Sequence, residues 1–278
     1  LTLGRAAEGT PGSNWTGLYF GGHLGYGFAG INGNTTNAAG VTTSVSATES
    51  ANIDARDLPR GLQAGVNYQF GNRWVAGVEG EFSWSKLHAN QRTAISEIPY
   101  LADVGWLQAE TDHEFEWMAS LRGRLGYAFD RFLVYGIGGL AFLDETQERT
   151  QYQATGIRTS AASPAPAGSS TIELFKESAS SSRMGWTVGG GVEYALTSHW
   201  SLKGEYQYSQ FGAESFLFPG ARSGGTINWR PIEGYTNAPR PVAILGPTIP
   251  GSSNTVDGRN ASNEVELHTG KIGINYRF

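Results

Sequence analysis

Cysteine is absent from the chain, which excludes disulfide staples, thiolate metal ligands and any thiol nucleophile. That absence is compatible with the cell envelope without requiring it. Also missing is an apolar run of membrane-helix length. The longest uncharged apolar stretch, residues 132–143, falls well short of the roughly 20 residues that a spanning helix needs, and glycine interrupts it. A helical membrane protein is excluded. There is no basic excess either: the formal charge of −5 argues against a nucleic-acid partner. Residues 1–13, LTLGRAAEGTPGS, hold no apolar core of signal-peptide length. They read as a loose tail in front of a single domain at 14–278.

What the chain has in quantity is glycine, 39 residues, and aromatic side chains, 12%, and both fall into alternating segments. Residues 15–28 set Leu18, Phe20, Leu24, Tyr26 and Phe28 against Tyr19, Gly21, His23, Gly25 and Gly27. This is the period of a strand with one apolar face. The same scheme recurs at 58–70, 74–87, 112–129, 132–146, 183–196 and 200–211. It returns in the last stretch, where Gly270, Ile272, Ile274, Tyr276 and Phe278 oppose Thr269, Lys271, Gly273, Asn275 and Arg277. Eight strands are predicted.

Three tight turns, at 71–73, 130–131 and 197–199, alternate with four long connections at 29–57, 88–111, 147–182 and 212–262. Structureless connections of that length are unusual in a compact soluble domain. An outer-membrane barrel, by contrast, has short periplasmic turns and long outward loops. The third connection contains SAASPAPAGSS and the fourth is rich in Pro, Gly and Asn, compositions that predict mobile loops.

Alternation alone does not say which face is wet. A soluble lipocalin-like barrel would turn the apolar face inward around a lipid. Three features favour the membrane. Aromatic residues sit at strand ends, at Phe70, Trp74, Phe129, Phe132, Trp200 and Phe278, where an interfacial girdle needs them. Glycines gather on the polar face, as a narrow lumen requires. That face also mixes charges of both signs in mid-strand: Glu79, Glu81, Glu114, Glu116, Arg122, Arg124, Glu193, Lys203, Glu205, Lys271 and Arg277. The predicted fold is therefore all-β, an eight-stranded antiparallel transmembrane barrel with both termini periplasmic. Eight strands enclose only enough room for side chains, so this charge set is expected to form a cross-linked interior rather than a channel. A small-solute or ion pore is the alternative function.

Several stretches carry a family resemblance: NWTGLYFGGHLGYGF at the start, VYGIGGLAF from Val134, GWTVGGGVEYALTSHWSLKGEYQY from Gly185 and the final GKIGINYRF. Together they resemble the alphaproteobacterial outer-membrane surface proteins, within the wider group of opacity-protein and outer membrane protein A-like eight-stranded barrels. The resemblance implies an outer-membrane location among lipid and lipopolysaccharide, a terminal aromatic residue as an assembly signal, and roles ranging over surface antigen, envelope stabiliser, porin-like protein and haemin binder. It also implies a peptidoglycan tether through residues 1–13. It covers the strands and not the loops.

Catalytic chemistry finds little support. Asp112-His113-Glu114 places a histidine beside carboxylates, but adjacent strand residues point to opposite faces, so no direct Asp112–His113 dyad forms without a bulge. The histidines lack metal-ligand spacing. The glycine runs at 136–139 and 189–191 precede no helix and are not phosphate loops. No enzyme activity, cofactor or metal is expected. In the fourth connection, Phe216, Phe218 and Trp229 put apolar side chains beyond the membrane, which points to a protein partner or to packing among loops.

Overall fold

The alternating segments become long antiparallel strands because each offers one face to lipid and one to a filled interior. A computed structural model describes residues 14–42, 46–70, 73–95, 107–155, 170–223, 228–230, 242–244 and 254–278. The predicted tail at 1–13, most of the turn at 71–73 and the proline-rich part of the third connection lie outside these residues. The strands are β1 (Gly17–Asn37), β2 (Asn52–Asp57), β3 (Arg60–Phe70), β4 (Trp74–Ile95), β5 (Leu107–Phe129), β6 (Phe132–Thr155), β7 (Ser170–Ala195), β8 (Trp200–Ser223), β9 (Asn228–Arg230), β10 (Val242–Ile244) and β11 (Asn254–Arg277).

Eight of them form the wall in the order β11-β8-β7-β6-β5-β4-β3-β1, and pairing of β11 with β1 closes the ring. Tyr19 lies opposite Arg277 and Ile31 opposite Val265 along that seam. β2 continues the line of β3 along β1, separated from it by Leu58 and Pro59. Pro59 offers no N–H to a ladder, but its carbonyl accepts from the Gly25 amide at 2.7 Å. Between β5 and β6 the chain turns on Asp130 with φ 53°, leaving Phe129 and Phe132 as direct partners.

Apolar side chains point out. Leu24 is 69% exposed and Ile272 67%, while Glu79 and Arg122 are each 1% exposed. That orientation is the reverse of what the lipocalin-like alternative requires. The apolar band runs up from the turns for about one bilayer crossing of a tilted strand.

The strands extend well past it, which corrects the predicted connections. Much of 29–57, 88–111, 147–182 and 212–262 is strand, and loop 38–51 includes a short 3-10 helix at Ser46–Glu49. Where both faces of an extension are polar, nothing in the sequence separates it from a loop. On β6, Asp144, Thr146 and Glu148 face outward and Glu145, Gln147 and Arg149 inward, so no alternation of polarity marks them.

Facing bulges on β4 and β5 interrupt the register between Trp84 and Leu87 and between Phe115 and Met118. The extra residue on β5 exchanges the two faces of that strand beyond it, whereas β4 keeps one parity, with Glu79, Glu81, Leu87 and Ala89 all inward. Phe115 consequently turns inward, beside Leu87, and both join Ile31, Leu143, Phe211 and Val265 in an apolar layer inside the barrel. The same shift overturns two expected interior charges: Glu114 and Glu116 are exposed on the outer face. A second apolar layer, with Trp15, Val75, Ala128 and Leu133, seals the interior beside the turns.

Candidate functional site in the barrel lumen

Between the two apolar layers lies a charged one, built by strand register. Glu79 on β4 is the cross-strand partner of Arg122 on β5, Glu193 on β7 of Lys203 on β8, and Glu205 on β8 of Lys271 on β11. Alternation sends all of these inward, and the ring brings them together across the lumen. Arg122 is the hub. Its Nη2 donates to Glu81 Oε2 at 2.7 Å, its Nε to Glu79 Oε1 at 3.2 Å and its Nη1 to Gln207 Oε1 at 2.9 Å. Nη2 is also 2.8 Å from Glu205 Oε1. Lys203 Nζ donates to Glu79 Oε1 at 3.2 Å, and Lys271 binds both Glu81 and Gln207.

Two tyrosines extend the network. Tyr19 donates to Glu79 Oε2 at 2.6 Å and Tyr135 to Glu205 Oε2 at 2.9 Å. Arg124 pairs with Glu193 and lies 3.6 Å from the centre of the Tyr135 ring. Glu193 Oε1 also accepts from Asn275 Nδ2 at 2.9 Å. Arg277 sits apart at the periplasmic end, donating to the Asn14 and Thr197 carbonyls at 3.2 and 3.1 Å and lying over the Trp15 ring.

Buried ions require such partners, because an isolated one costs several kcal/mol even after relaxation. In this layer Glu79, Glu81, Glu193 and Glu205 meet Arg122, Arg124, Lys203 and Lys271. The arrangement is a neutral strut. The carboxylates of Glu79, Glu81 and Glu205 approach within 4.8 Å of one another, a spacing that would suit a cation, but Arg122 already supplies the positive charge there.

Sequence reading missed Tyr19, Tyr135, Gln207 and His23. His23 lies between Gln63 Oε1 at 2.6 Å and Ser83 Oγ at 2.9 Å. Position on the inward face marked all four, but only the closed ring shows what they reach.

A further charged layer lies beyond the upper apolar one. Glu49, in the 3-10 helix of the first loop, meets Arg149 Nε at 2.8 Å and Arg259 Nε at 2.9 Å. Arg149 Nη1 reaches Glu177 at 3.3 Å, and Thr35 Oγ1 donates to the Glu49 carbonyl at 3.0 Å. The first loop thus folds back into the barrel mouth. The cavity beside Glu49, His113, Arg149 and Phe218 measures about 10 Å³, room for about one water.

Asp112 and His113 part company, as strand geometry demands. His113 faces inward, 2.9 Å from Glu145, while Asp112 faces outward, 3.4 Å from His88. His88 and His113 therefore occupy opposite faces of the wall and form no pair. Phe216 and Phe218 were expected as loop contacts, but they lie on β8 and are each only 2% exposed, whereas Leu217 between them is 62% exposed. Packing, not partner contact, accounts for the two phenylalanines. Trp229 falls on β9, opposite Ala243; its side chain lies outside the described set. The strand-end aromatics Phe70, Trp74, Phe129, Phe132, Trp200 and Phe278 all point outward. Trp74 meets Tyr127 edge-on at 5.4 Å, and Tyr276 likewise meets both Trp200 and Phe278.

Comparison with known proteins agrees with this architecture. The model of the outer membrane protein beta-barrel domain family matches residues 1–229. The 31 kDa outer-membrane immunogenic protein of Brucella melitensis is 26% identical over 266 residues, covering 95% of this chain and 84% of the relative. The 25 kDa outer-membrane immunogenic protein of Brucella abortus is 28% identical over 217 residues, covering 77% and 73%. Among solved structures, the attachment invasion locus protein Ail of Yersinia pestis aligns over 95% of this chain and 99% of its own, with a TM-score of 0.33 and 14% identity. The outer membrane protease OmpT of Escherichia coli aligns over 97% and 99%, with a TM-score of 0.40 and 8% identity. The chain belongs to the outer membrane protein beta-barrel domain family and resides in the bacterial outer membrane.

Proposed function

We propose that this barrel is a non-catalytic structural and surface-interaction protein with a closed lumen, and that any partner is read by its extracellular strand extensions and loops. The observation that carries the reading is the Arg122 guanidinium, 1% exposed and shared among Glu79, Glu81 and Glu205 in the middle of the lumen. An open water path there would place these ions in solvent, whereas they are bonded to one another and to Tyr19, Tyr135 and Gln207. Glu49 with Arg149 and Arg259 provides a second closure at the mouth. The relatives' description as immunogenic outer-membrane proteins supports surface display, and display suits loops carried on a rigid scaffold. The strand-end aromatics are assigned to the periplasmic membrane interface, where amphipathic rings are favoured.

Conductance of the purified protein in a planar bilayer tests the reading. The unmodified barrel gives no stable openings, and Arg122→Ala, which empties the hub, gives more current than the parent. Stable, large, ion-selective openings in the unmodified protein would establish the pore alternative instead.

A further inference from the structure

On the outer face, across β8, β11, β1, β3 and β4, the wall holds a groove of about 470 Å³ among Leu24, Trp84, Leu202, Ile272 and Ile274. Gly22 forms its floor, opposite Leu62 on β3 and Ile274 on β11. A Cβ at Gly22 would meet nothing nearer than the Gly61 carbonyl at 3.5 Å. Wall packing therefore does not demand glycine here; the groove exists because a side chain is missing.

Arg60 lies at the outer end of this groove, directly across from Leu24 on one side and Trp84 on the other. β3 runs 11 residues from Arg60 to Phe70, and a tilted strand of about 9–11 residues crosses the hydrocarbon of a bilayer. Arg60 is thus at the level of the outer-leaflet headgroups. Arg56 lies opposite Phe28, four residues further out along β1 than Leu24, or about 13 Å. Lys86 joins them in the β4 bulge, where its amide donates to Asp57 Oδ2 at 2.9 Å. All three side chains are exposed on the outer face, and among the described residues none has an ion-pair or hydrogen-bond partner. Every lysine and arginine of the charged layer inside has one. The neighbouring β5 presents the opposite sign at this height, with Glu114 and Glu116 exposed, and Asp54 and Asp57 flank Arg56 on β2, so the basic patch is confined to Arg56, Arg60 and Lys86.

We infer that this face binds a phosphorylated lipid of the outer leaflet, of the lipopolysaccharide class, with its phosphates held by Arg60, Arg56 and Lys86 and an acyl chain lying over Gly22. Unpaired cations at the edge of hydrocarbon call for an anion at headgroup depth, and arginine forks suit phosphate oxygens. The apolar groove directly below supplies the place for the chain. This inference rests on the outer-membrane location and is independent of whether the lumen conducts.

Native mass spectrometry of the intact barrel, released from detergent with lipid A and phosphatidylglycerol in equal amounts, tests it. The unmodified protein retains bisphosphorylated lipid A in preference to phosphatidylglycerol. Retention falls about tenfold or more in Arg56→Gln/Arg60→Gln and with dephosphorylated lipid A, as loss of charge-assisted bonds implies. It falls also in Gly22→Leu, which fills the groove. Arg73→Gln/Arg131→Gln, at the opposite end of the barrel, leaves it unchanged. Both outer arginines are exposed and unpaired, so their variant folds, as heat-modifiable gel migration reports. Equal retention by Arg56→Gln/Arg60→Gln, equal binding of phosphatidylglycerol, or an equal drop in Arg73→Gln/Arg131→Gln would overturn the site.

Discussion

Glu79 on β4 and Arg122 on β5 are direct cross-strand partners, and the guanidinium engages the same carboxylate oxygen through both Nε and Nη2. This pair anchors the lumen, because the other Arg122 nitrogen, Nη1, and the second use of Nη2 carry the contact on to β8 and to Glu81. Removing the guanidinium would leave Glu79, Glu81 and Glu205 facing one another with two lysines between them. Arg122→Ala should therefore lose about 3–5 kcal/mol, the usual cost of breaking a buried ion pair from one side. Equilibrium unfolding of the purified barrel in urea checks this, and a loss below about 1 kcal/mol would show that the lumen is hydrated enough to screen the acids.

The bulge at Glu116–Trp117 exchanges the faces of β5, and this has a topological signature. The chain has no cysteine, so single cysteines report without background. Glu114→Cys and Glu116→Cys should react with a membrane-impermeant maleimide on intact cells, whereas Glu145→Cys, at 0% exposure, should not. Protection of both Glu114→Cys and Glu116→Cys would place the β5 register without the bulge.

Phe218 is buried within the extracellular extension of the barrel, beside the cavity lined by Glu49 and Arg259. Phe218→Ala should cost about 3–5 kcal/mol, and Leu217→Ala, exposed next to it, should stay within about 0.5 kcal/mol. Thermal unfolding of the two variants side by side distinguishes packing from partner contact. Similar midpoints would remove Phe218 from the interior.

Glycines of the two faces should respond differently. A Cβ at Gly61 would fall on the Phe82 carbonyl oxygen and the His23 ring, while at Gly204 it would meet nothing within 4 Å. Gly61→Ala should lose about 1–3 kcal/mol through overpacking, and Gly204→Ala should fold as the parent does. Heat-modifiable gel migration over a temperature series reads the contrast; a shift of the Gly204→Ala midpoint equal to that of Gly61→Ala would contradict it.

Legibility followed the physics of alternation. Leu24, Tyr68 and Ile272 were readable as outward because each sits on an apolar face with polar or small residues alternating opposite, whereas Val134, between apolar Leu133 and Tyr135, was placed outward only by the two-residue turn that pairs Phe129 with Phe132. Asp130 was readable as a turn because a two-residue connection joined Phe129 to Phe132. Where both faces become polar beyond the apolar band, as at 144–149 on β6, the signal that separates strand from loop disappears. Glu114 and Glu116 were misplaced for a related reason. A period-two reading carries parity past a bulge that only cross-strand pairing reveals.

The amino-acid sequence by itself determined the class of structure. Eight alternating segments, short turns on one side and no helix of spanning length leave a closed barrel as the way to satisfy backbone groups in lipid. It also set which charges could enter the lumen wherever no bulge interrupts the strand, since a side chain's face there is fixed by position. Which charges meet was decided by the tertiary structure alone. Glu79 and Lys203 are 124 residues apart, and Glu81 and Lys271 190 apart; ring closure and stagger bring them together. Loop geometry made the same kind of decision at the mouth, where Glu49 reaches Arg259 across 210 residues of chain. Contacts of such separation depend on how the ring closes, which no local pattern records.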